Sequence, residues 1–350
     1  MDNIYSNLDM MMELFRNLSD QEKSDFMGQC KNYMERGQAN LPDAIHEKVF
    51  HKVNKCPHCG SEKIKRNGTN IRTGNQRFVC KACGKSFSAT TGTVLFSLKK
   101  PEKFISSFKC LEDKRTIAET AKELGVNTHT AFDWRHKALS TMTSSAPRKL
   151  NGRVQCDETE IPVNEKGSRN LKRKPRKRGN DFRRNEMDEE GGEPSTIQVV
   201  TLSSNTGNNL MVPVRTKRLS AKEIDMAIGD KLAWDTMLIT DKHHSYVKFA
   251  GRHNIHLRQV LSKDHVNPKD KTINVQRVNT LHSHLKNFLM QFHGVSSKYL
   301  ANYTSWFLYY FKKASNTVSF DKVLLSEMLS DYQSRKIYSR FLRNEVTIQV

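Results

Sequence analysis

Four of the seven cysteines form two CxxC pairs separated by twenty residues: Cys56, Cys59, Cys80 and Cys83. Each pair presents two thiolates from one tight turn, and two such turns close the tetrahedron that Zn²⁺ prefers. Gly60 and Gly84 follow the pairs, where the tight turn needs a positive φ. We therefore expect a structural zinc ribbon over residues 46–100, with a short hairpin around Asn67–Gly68 and no open metal position for catalysis.

A second group of residues could hold catalytic cations. Asp157 lies on one predicted strand, Asp241 ends another, and Asn279 lies on the predicted amphipathic helix Lys271–Phe292. Their oxygen atoms suit Mg²⁺, and two such ions about 4 Å apart activate the attacking oxygen and stabilise the leaving oxygen of a phosphodiester. The helix carries no Asp or Glu, so its ligand would be neutral. Lys286, two turns after Asn279, could offset phosphate charge.

Three further residues lie near these positions in the sequence. His282 lies one turn from Asn279 and is the alternative third ligand. Glu158 follows Asp157 on the strand and therefore alternates to the opposite face, so we keep it out of the site. Cys156 precedes Asp157 and by the same alternation is expected to point into the core.

The elements that must position these residues begin after a linker that ends near residue 152. From there the pattern predicts the order β-β-β-α-β-α-β-α-α, which is an RNase-H-like arrangement. In such a sheet the first and fourth strands lie side by side at the centre, which would bring Asp157 and Asp241 together. We predict an α/β fold, with an RNase-H-like mixed sheet and flanking helices, over residues 153–318, followed by a C-terminal tail over 319–350.

Residues 101–143 have the pattern of a helix-turn-helix. Thr116-x-x-Glu119 is a capping box, and Gly125 makes the turn before a third helix. That helix would present a polar, basic face that could enter a major groove, although an ordinary helical hairpin is the alternative. The face that we expect to be exposed carries Asp133 and His136 together with four candidate DNA contacts: His129, Thr130, Arg135 and Lys137.

Two segments have compositions that cannot build a core. Residues 164–195 combine a basic run with an acidic, glycine-rich stretch, and we expect a disordered insertion between two strands. The basic run is a candidate DNA contact, with a solvated loop as the alternative: Lys172, Arg173, Lys174, Arg176, Lys177 and Arg178. Residues 1–45 predict a polar helical segment to which we assign no chemistry.

The chain as a whole is strongly basic. Lys and Arg number 58 against 37 Asp and Glu, which gives a net charge of +21 over 350 residues. Such an excess argues for a polyanionic partner. No apolar run of about 18 residues and no signal-peptide pattern occurs, so double-stranded DNA is favoured over a membrane. The CxxC pairs indicate metal binding in a reducing compartment, and we expect a cytoplasmic, nucleoid-associated protein.

These motifs together resemble a known family, the bacterial insertion-sequence transposases of the zinc-ribbon, ISXO-like group of DDE-type enzymes. The resemblance covers roughly residues 50–315. It rests on CPHC…CKAC, TIAETAKELGVNTHTAFDWRHKAL, CDET, ITDKHHSY, VNTLHSHLK and GVSSKYLANYTSWF. It implies that the metal-binding aspartates are Asp157 and Asp241. The third ligand of the family, Glu in some branches and Asn in others, falls on Asn279, and the family's lysine falls on Lys286.

The resemblance implies cleavage at element ends and joining of 3′-hydroxyls to target DNA. We therefore expect a transposase with a structural Zn²⁺ and two catalytic Mg²⁺ or Mn²⁺ ions, working as a homo-oligomer on DNA. Two alternatives stay open. One is a non-catalytic DNA-binding regulator that uses only the ribbon and the helix-turn-helix, for which Asp157 and Asp241 would not be required. The other is a structure-specific nuclease that uses the same fold without strand transfer.

Overall fold

The structure is a computed structural model of the 350-residue chain. It describes residues 19, 21–23, 53, 55–70, 76–96, 98–168, 196–216, 219–261, 266–267, 270–313, 324, 328, 338 and 348–349. Most of the predicted N-terminal segment, the basic run Lys172–Arg178 and most of the C-terminal tail lie outside these residues. The chain divides into two compact units. One holds the cysteine-rich segment, and the other holds both the helix-turn-helix and the large sheet.

The cysteine-rich unit contains three short strands in an antiparallel sheet: β1 (Ile64–Thr69), β2 (Gln76–Cys80) and β3 (Ser86–Ser88). Phe78 and Phe87 stack in its small core with ring centroids 5.6 Å apart. The predicted hairpin is present, but the prediction that it turns at Asn67–Gly68 is wrong, because Thr69 still pairs with Gln76. Gly68, at φ +64°, instead lies where the strand register shifts, as expected for a bulge.

Three helices form the predicted helix-turn-helix: α1 (Pro101–Glu112), α2 (Ile117–Leu124) and α3 (Thr128–Ser144). The Thr116 hydroxyl accepts from the amide of Glu119, and the Glu119 carboxylate accepts from the amide of Thr116, which completes the predicted capping box. Gly125 ends α2 at φ +59°, a left-handed conformation that glycine adopts readily, and Asn127 caps α3. The boundaries of α2 and the start of α3 are therefore determined by local capping residues.

The large sheet has six strands: β4 (Arg153–Pro162), β5 (Thr196–Ser204), β6 (Asn209–Arg215), β7 (Met237–Asp241), β8 (His256–Val260) and β9 (Ile348–Gln349). Their spatial order is β8-β7-β4-β5-β6-β9. The strands β4, β5 and β6 form an antiparallel meander, whereas β7 runs parallel to β4 and β8 parallel to β7. The predicted α/β fold with an RNase-H-like sheet is confirmed, with β4 and β7 adjacent at its centre.

Four more helices flank the sheet: α4 (Ala221–Ile228), α5 (His244–His253), α6 (Gln276–Met290) and α7 (Leu300–Lys313). One face packs α4 and α5 over Cys156 and neighbouring apolar side chains, and the other packs α6 over Ile239. The predicted helix Lys271–Phe292 begins five residues late. Asp270 accepts from both the amide and the hydroxyl of Thr272, and such local hydrogen bonds favour a turn over a helix.

Helix α3 packs against α7 with the face that we expected to be exposed. Arg135 is only 4% exposed and His136 only 1%. The prediction that both side chains face outward is therefore wrong. The periodicity of α3 alone could not reveal this, because the apolar surface that covers Arg135 comes from Phe292 and Trp306, far along the chain. Among the described helices, none combines the length and the hydrophobicity that crossing a bilayer requires.

The remaining candidate DNA contacts on α3 differ in accessibility. His129 is exposed and Thr130 is half-buried in the first turn of the helix. The ammonium of Lys137 lies 3.0 Å from the Asp133 carboxylate and 5.6 Å from the ring centroid of Tyr338, and its side chain is 17% exposed. The accessible polar surface of α3 is therefore concentrated at its N-terminal end.

Candidate functional site

The four cysteine sulfurs form a cluster that fits a tetrahedral zinc ion. All four lie within 4.8 Å of one another, with Cys56 Sγ 3.7 Å from Cys83 Sγ and Cys59 Sγ 3.6 Å from Cys80 Sγ. Zn–S bonds of about 2.3 Å in a tetrahedron require sulfurs about 3.8 Å apart. Within the described part of the chain, no other cluster of three or more His, Cys, Asp or Glu side chains has this compactness.

The backbone around the cluster favours a thiolate at Cys80, whereas burial and hydrogen bonds with the neighbouring cysteines raise the pKa of the Cys59 thiol to about 12. The amide of His58 donates to Cys56 Sγ at 3.4 Å. A backbone hydrogen bond from Cys83 lowers the pKa of the Cys80 thiol to about 6, against the opposing effect of burial. Gly60 and Gly84 take the predicted positive φ, at +74° and +70°, and their amides donate to the carbonyl oxygens of Cys56 and Cys80, which closes each turn. The residues present therefore fit a four-cysteine structural zinc site.

The two candidate catalytic aspartates lie level with each other on neighbouring parallel strands. Gln155 of β4 pairs with Ile239 of β7. Asp157 and Asp241 each follow two residues later, so both return to the same face of the sheet and the same height along it. Both are half-buried. The sheet thus brings together two carboxylates that are 84 positions apart in the chain.

The face that carries these carboxylates is the one covered by α6. The Gln155 side-chain oxygen accepts from the amides of Arg277 and Val278, at 3.0 and 3.4 Å. Its Nε2 donates to the Asn274 side-chain oxygen at 2.9 Å. The N-terminus of α6 is therefore fastened to β4 two residues before Asp157.

This arrangement determines where the two helical candidates lie. Asn279 directly follows Val278 in the first turn of α6 and is half-buried, whereas Lys286 lies two turns further along and is exposed. The sequence pattern missed the positioning role of Gln155. A polar residue two positions before Asp157, and therefore on the same face of the strand, was the available signal.

The opposite face of β4 carries a separate polar contact. The hydroxyl of Tyr246, which is fully buried, donates to Glu158 Oε2 at 2.8 Å. Cys156 Sγ lies 3.6 Å from the same hydroxyl. Glu158 and Cys156 therefore point away from the α6 side, as strand alternation predicts.

The electrostatics of the site favour a bound cation. Burial raises the pKa of Asp157 to about 7, and the negative charges of Glu158 and Asp241 add to the shift. Burial also raises the pKa of Glu158, although the hydrogen bond from Tyr246 opposes it. Without a cation, the site therefore holds a proton at Asp157 up to neutral pH. A divalent ion would displace that proton and stabilise the carboxylates.

His282, the alternative third ligand, is also buried on α6. It is 7% exposed, and its Nε2 has no hydrogen-bond partner among the residues that the structure describes. Burial, with the nearby charge of Lys286, lowers its pKa to about 4, so the imidazole is neutral at pH 7. A neutral imidazole is able to ligate a metal, and His282 therefore stays an alternative to Asn279.

We predict that the metal-free protein loses stability as the pH rises through neutrality. The folded-state pKa of Asp157, about 7, lies above its ordinary value of 3.8. The protonated carboxyl therefore stabilises the fold fully below about pH 4, and this contribution is lost as the pH rises through about 7. Between pH 5 and 8 the melting temperature should fall by about 3 °C more in the wild type than in Asp157→Asn. Equal slopes in thermal melts of the two proteins would contradict the raised pKa.

Comparison with known proteins identifies the catalytic region. Residues 149–312 match the family model described as the ISXO2-like transposase domain. This segment contains β4, β7 and α6, and hence all four candidate catalytic residues: Asp157, Asp241, Asn279 and Lys286. No curated protein matches the chain.

Two similar solved structures are described as "Crystal structure of a pre-cleavage Mos1 transpososome" and "Crystal structure of the Mos1 Strand Transfer Complex". The first is 10% identical with a TM-score of 0.24, and covers 69% of this chain and 79% of that chain. The second is 14% identical with a TM-score of 0.25, and covers 69% and 78%. TM-scores this low do not establish structural similarity, so the functional assignment rests on the family model. The segment 149–312 is therefore an ISXO2-like transposase domain, and this match supports a DNA transposase function for the chain.

Proposed function

We propose that this transposase uses Asp157, Asp241 and Asn279 to hold two Mg²⁺ or Mn²⁺ ions, with Lys286 beside the DNA phosphate. The observation that supports this proposal is the pairing of Gln155 with Ile239, because Asp157 and Asp241 each follow two residues later on these adjacent parallel strands, on the face that α6 covers. The raised pKa of Asp157 supports it, because a carboxyl that is costly to ionise alone gains most from a bound cation.

When bound, two divalent ions would activate the attacking oxygen and stabilise the leaving oxygen of the phosphodiester. Asp157 and Asp241 supply negative charge from the centre of a sheet, so their positions are rigid. Asn279 adds a neutral oxygen from a helix that Gln155 fastens to the same strand. A site with two carboxylates and one amide holds metal more weakly than a site with three carboxylates, and the DNA phosphate would complete the coordination sphere.

The proposed reaction has two steps at one site. In cleavage, water attacks a phosphodiester at the element end, the P–O3′ bond breaks, and the strand is left with a 3′-hydroxyl. In strand transfer, that 3′-hydroxyl attacks a target phosphodiester, and the target's own 3′-oxygen leaves. In this proposal Lys286, which is exposed two turns after Asn279, would contact the phosphate, because its ammonium offsets phosphate charge.

The remaining parts of the chain would bind DNA. In this proposal Zn²⁺ holds the ribbon, and the exposed N-terminal end of α3, with His129 and Thr130, contacts element ends. The basic run Lys172–Arg178 would contact phosphates, since six of its seven residues are Lys or Arg. We further propose that the protein works in the cytoplasm as a homo-oligomer that holds two element ends and target DNA together.

Purified protein, a labelled element end and a target plasmid distinguish the proposed function from its two alternatives. With Mg²⁺ or Mn²⁺ we expect both cleaved ends and products in which the end is joined to the plasmid. Nicks without joined products would indicate a nuclease. Retained DNA binding with neither product would indicate a regulator.

Replacing the neutral ligand with a charged one should tighten metal binding. We expect Asn279→Asp or Asn279→Glu to raise the apparent Mn²⁺ affinity on the order of tenfold, because the number of charged ligands controls affinity at oxygen sites. Calorimetric titration of Mn²⁺ into the DNA-free protein measures this affinity. Asn287→Asp is the matched control, since Asn287 is an exposed residue of the same helix. If affinity rises in neither Asn279 variant, Asn279 is not a ligand and His282 becomes the candidate.

A further inference from the structure

A cavity of about 560 Å³ lies beside the helix-turn-helix and away from the paired aspartates. Its walls come from the start of α2, from α3, from the segment 292–299 between α6 and α7, and from Lys166–Gly167. Cavities that bind small molecules measure about 300–1,000 Å³, so this one has room for a single nucleotide. The proposed catalytic chemistry does not use it.

The charge of the walls is of one sign. Arg135, Lys166 and Lys298 line the cavity, and no Asp or Glu is among the lining residues. The three ammonium donors of Lys166 are directed at the carbonyl oxygens of residues 292–294, where α6 ends. Lys298 is half-buried, with its Nζ 4.8 Å from the ring centroid of Tyr299. The cavity therefore favours an anion.

Arg135 makes the strongest case for a bound anion. Its guanidinium is buried between the rings of Phe292 and Trp306, at 5.9 and 5.3 Å, and donates to the Thr120 hydroxyl and a backbone carbonyl. None of the ion pairs in the described part of the chain involves it. Buried charges are normally paired with an opposite charge, and ring contacts and neutral acceptors offset only part of the cost. A phosphate in the cavity would supply the missing negative charge.

A second wall is aromatic. The rings of Phe132 and Tyr299 lie 5.4 Å apart, and both side chains are half-buried because they border the cavity. His136 packs against both rings, and burial with the charges of Arg135 and Lys298 keeps its pKa well below the usual value, so it is a neutral ring at pH 7. Bases stack on aromatic side chains whatever their sequence.

One ligand combines a phosphate with a flat ring. We propose that this cavity binds one unpaired nucleotide of a DNA strand, with its base against Phe132 and Tyr299 and its phosphate beside Arg135 and Lys298. The position supports a DNA source. Thr128, the first residue of α3, lines the same cavity, so the opening lies beside the exposed end of the helix that we expect to contact DNA.

The test compares the affinities of the full chain for two DNA duplexes that differ by one unpaired thymidine. Binding is measured by fluorescence anisotropy without added divalent cation. We expect the duplex with the unpaired nucleotide to bind about tenfold more tightly than the fully paired duplex. Thymidine 5′-monophosphate should compete for the cavity and remove this preference. Thymidine lacks the phosphate, so it should need an at least about tenfold higher concentration to compete equally well.

The variants Tyr299→Leu and Lys298→Gln should each reduce the preference by about fivefold or more. Both residues are only half-buried, so these variants avoid the folding risk of replacing Arg135. The matched control is Lys248→Gln, an exposed lysine on α5, which should keep the full preference. No preference in the wild type, or a preference that survives both variants, would overturn the proposal.

Thymidine 5′-monophosphate binding with no preference for the unpaired duplex would assign the cavity to free nucleotides and would overturn the DNA source. Strand cleavage plays no part in this measurement. If the binding preference is absent, the assignment of Asp157 and Asp241 to the catalytic site is therefore unaffected. Equally, loss of cleavage in the aspartate variants would not affect the assignment of the cavity.

Discussion

Asp157→Asn and Asp241→Asn are each expected to reduce metal-dependent strand cleavage by at least about a thousandfold. Metal ions contribute several kcal/mol of transition-state stabilisation, which corresponds to such a factor. Each variant removes one of the two carboxylates that lie level on β4 and β7. Initial rates of end cleavage with saturating DNA and Mg²⁺ measure the effect. The same variants should bind element-end DNA nearly as well as the wild type, since the ribbon and the helix-turn-helix are unchanged.

The control for the aspartate variants is Glu160→Gln. Glu160 lies on the same strand but is exposed, and its carboxylate accepts from the Gln198 side chain at 3.0 Å. The cleavage rate of Glu160→Gln should stay within about twofold of the wild type, since surface substitutions outside the active site and the core have small effects. Asp157→Asn should also be at least as stable as the wild type at pH 8 without metal, because it removes a carboxylate that burial makes costly to ionise. Unchanged cleavage in either aspartate variant would refute the assignment.

Loss of zinc is expected to unfold the cysteine-rich unit and to abolish its contribution to DNA binding. Structural Zn²⁺ binds zinc-finger peptides with about 10–16 kcal/mol of apparent free energy at pH 7, and much of this is folding free energy. The small core of the unit, built around Phe78 and Phe87 and the cysteines themselves, could not replace that stabilisation. Cys80→Ser should therefore lose the metal and the folded ribbon together.

Metal analysis of the purified protein should find about one equivalent of zinc in the wild type and almost none in Cys80→Ser. Cys110→Ala is the matched control, because Cys110 is a buried cysteine of α1 outside the cluster and should leave the zinc content unchanged. Circular dichroism and limited proteolysis then report whether the large sheet stays folded when the ribbon does not. Less than half an equivalent of zinc in the wild type would count against the site.

The burial of Arg135 changes how the helix-turn-helix is expected to act. A recognition helix that is free on one side could present a full basic face to the major groove, but α3 lies against α7 with that face. What remains accessible is its first turn. Base contacts from the N-terminal residues of a recognition helix are common in helix-turn-helix proteins, so His129 and Thr130 stay reasonable candidates.

The sequence by itself determined the features that depend on neighbours in the chain. The two CxxC pairs predict a compact sulfur cluster because each knuckle is a local turn, and Thr116 with Glu119 predicts the start of α2 because a capping box needs only one helical turn. The strand and helix order was also readable, and with it the adjacency of the strands that carry Asp157 and Asp241.

Only the tertiary structure decided which polar residues are buried and what holds them. Gln155 fastens α6 from more than a hundred residues away, and Arg135 is covered by rings from α6 and α7. Alternation and periodicity describe one element at a time, whereas burial is a property of two elements that meet. For that reason the pattern located the carboxylates correctly on their strands, but it assigned the wrong face of α3 to solvent and gave no sign of the cavity beside it.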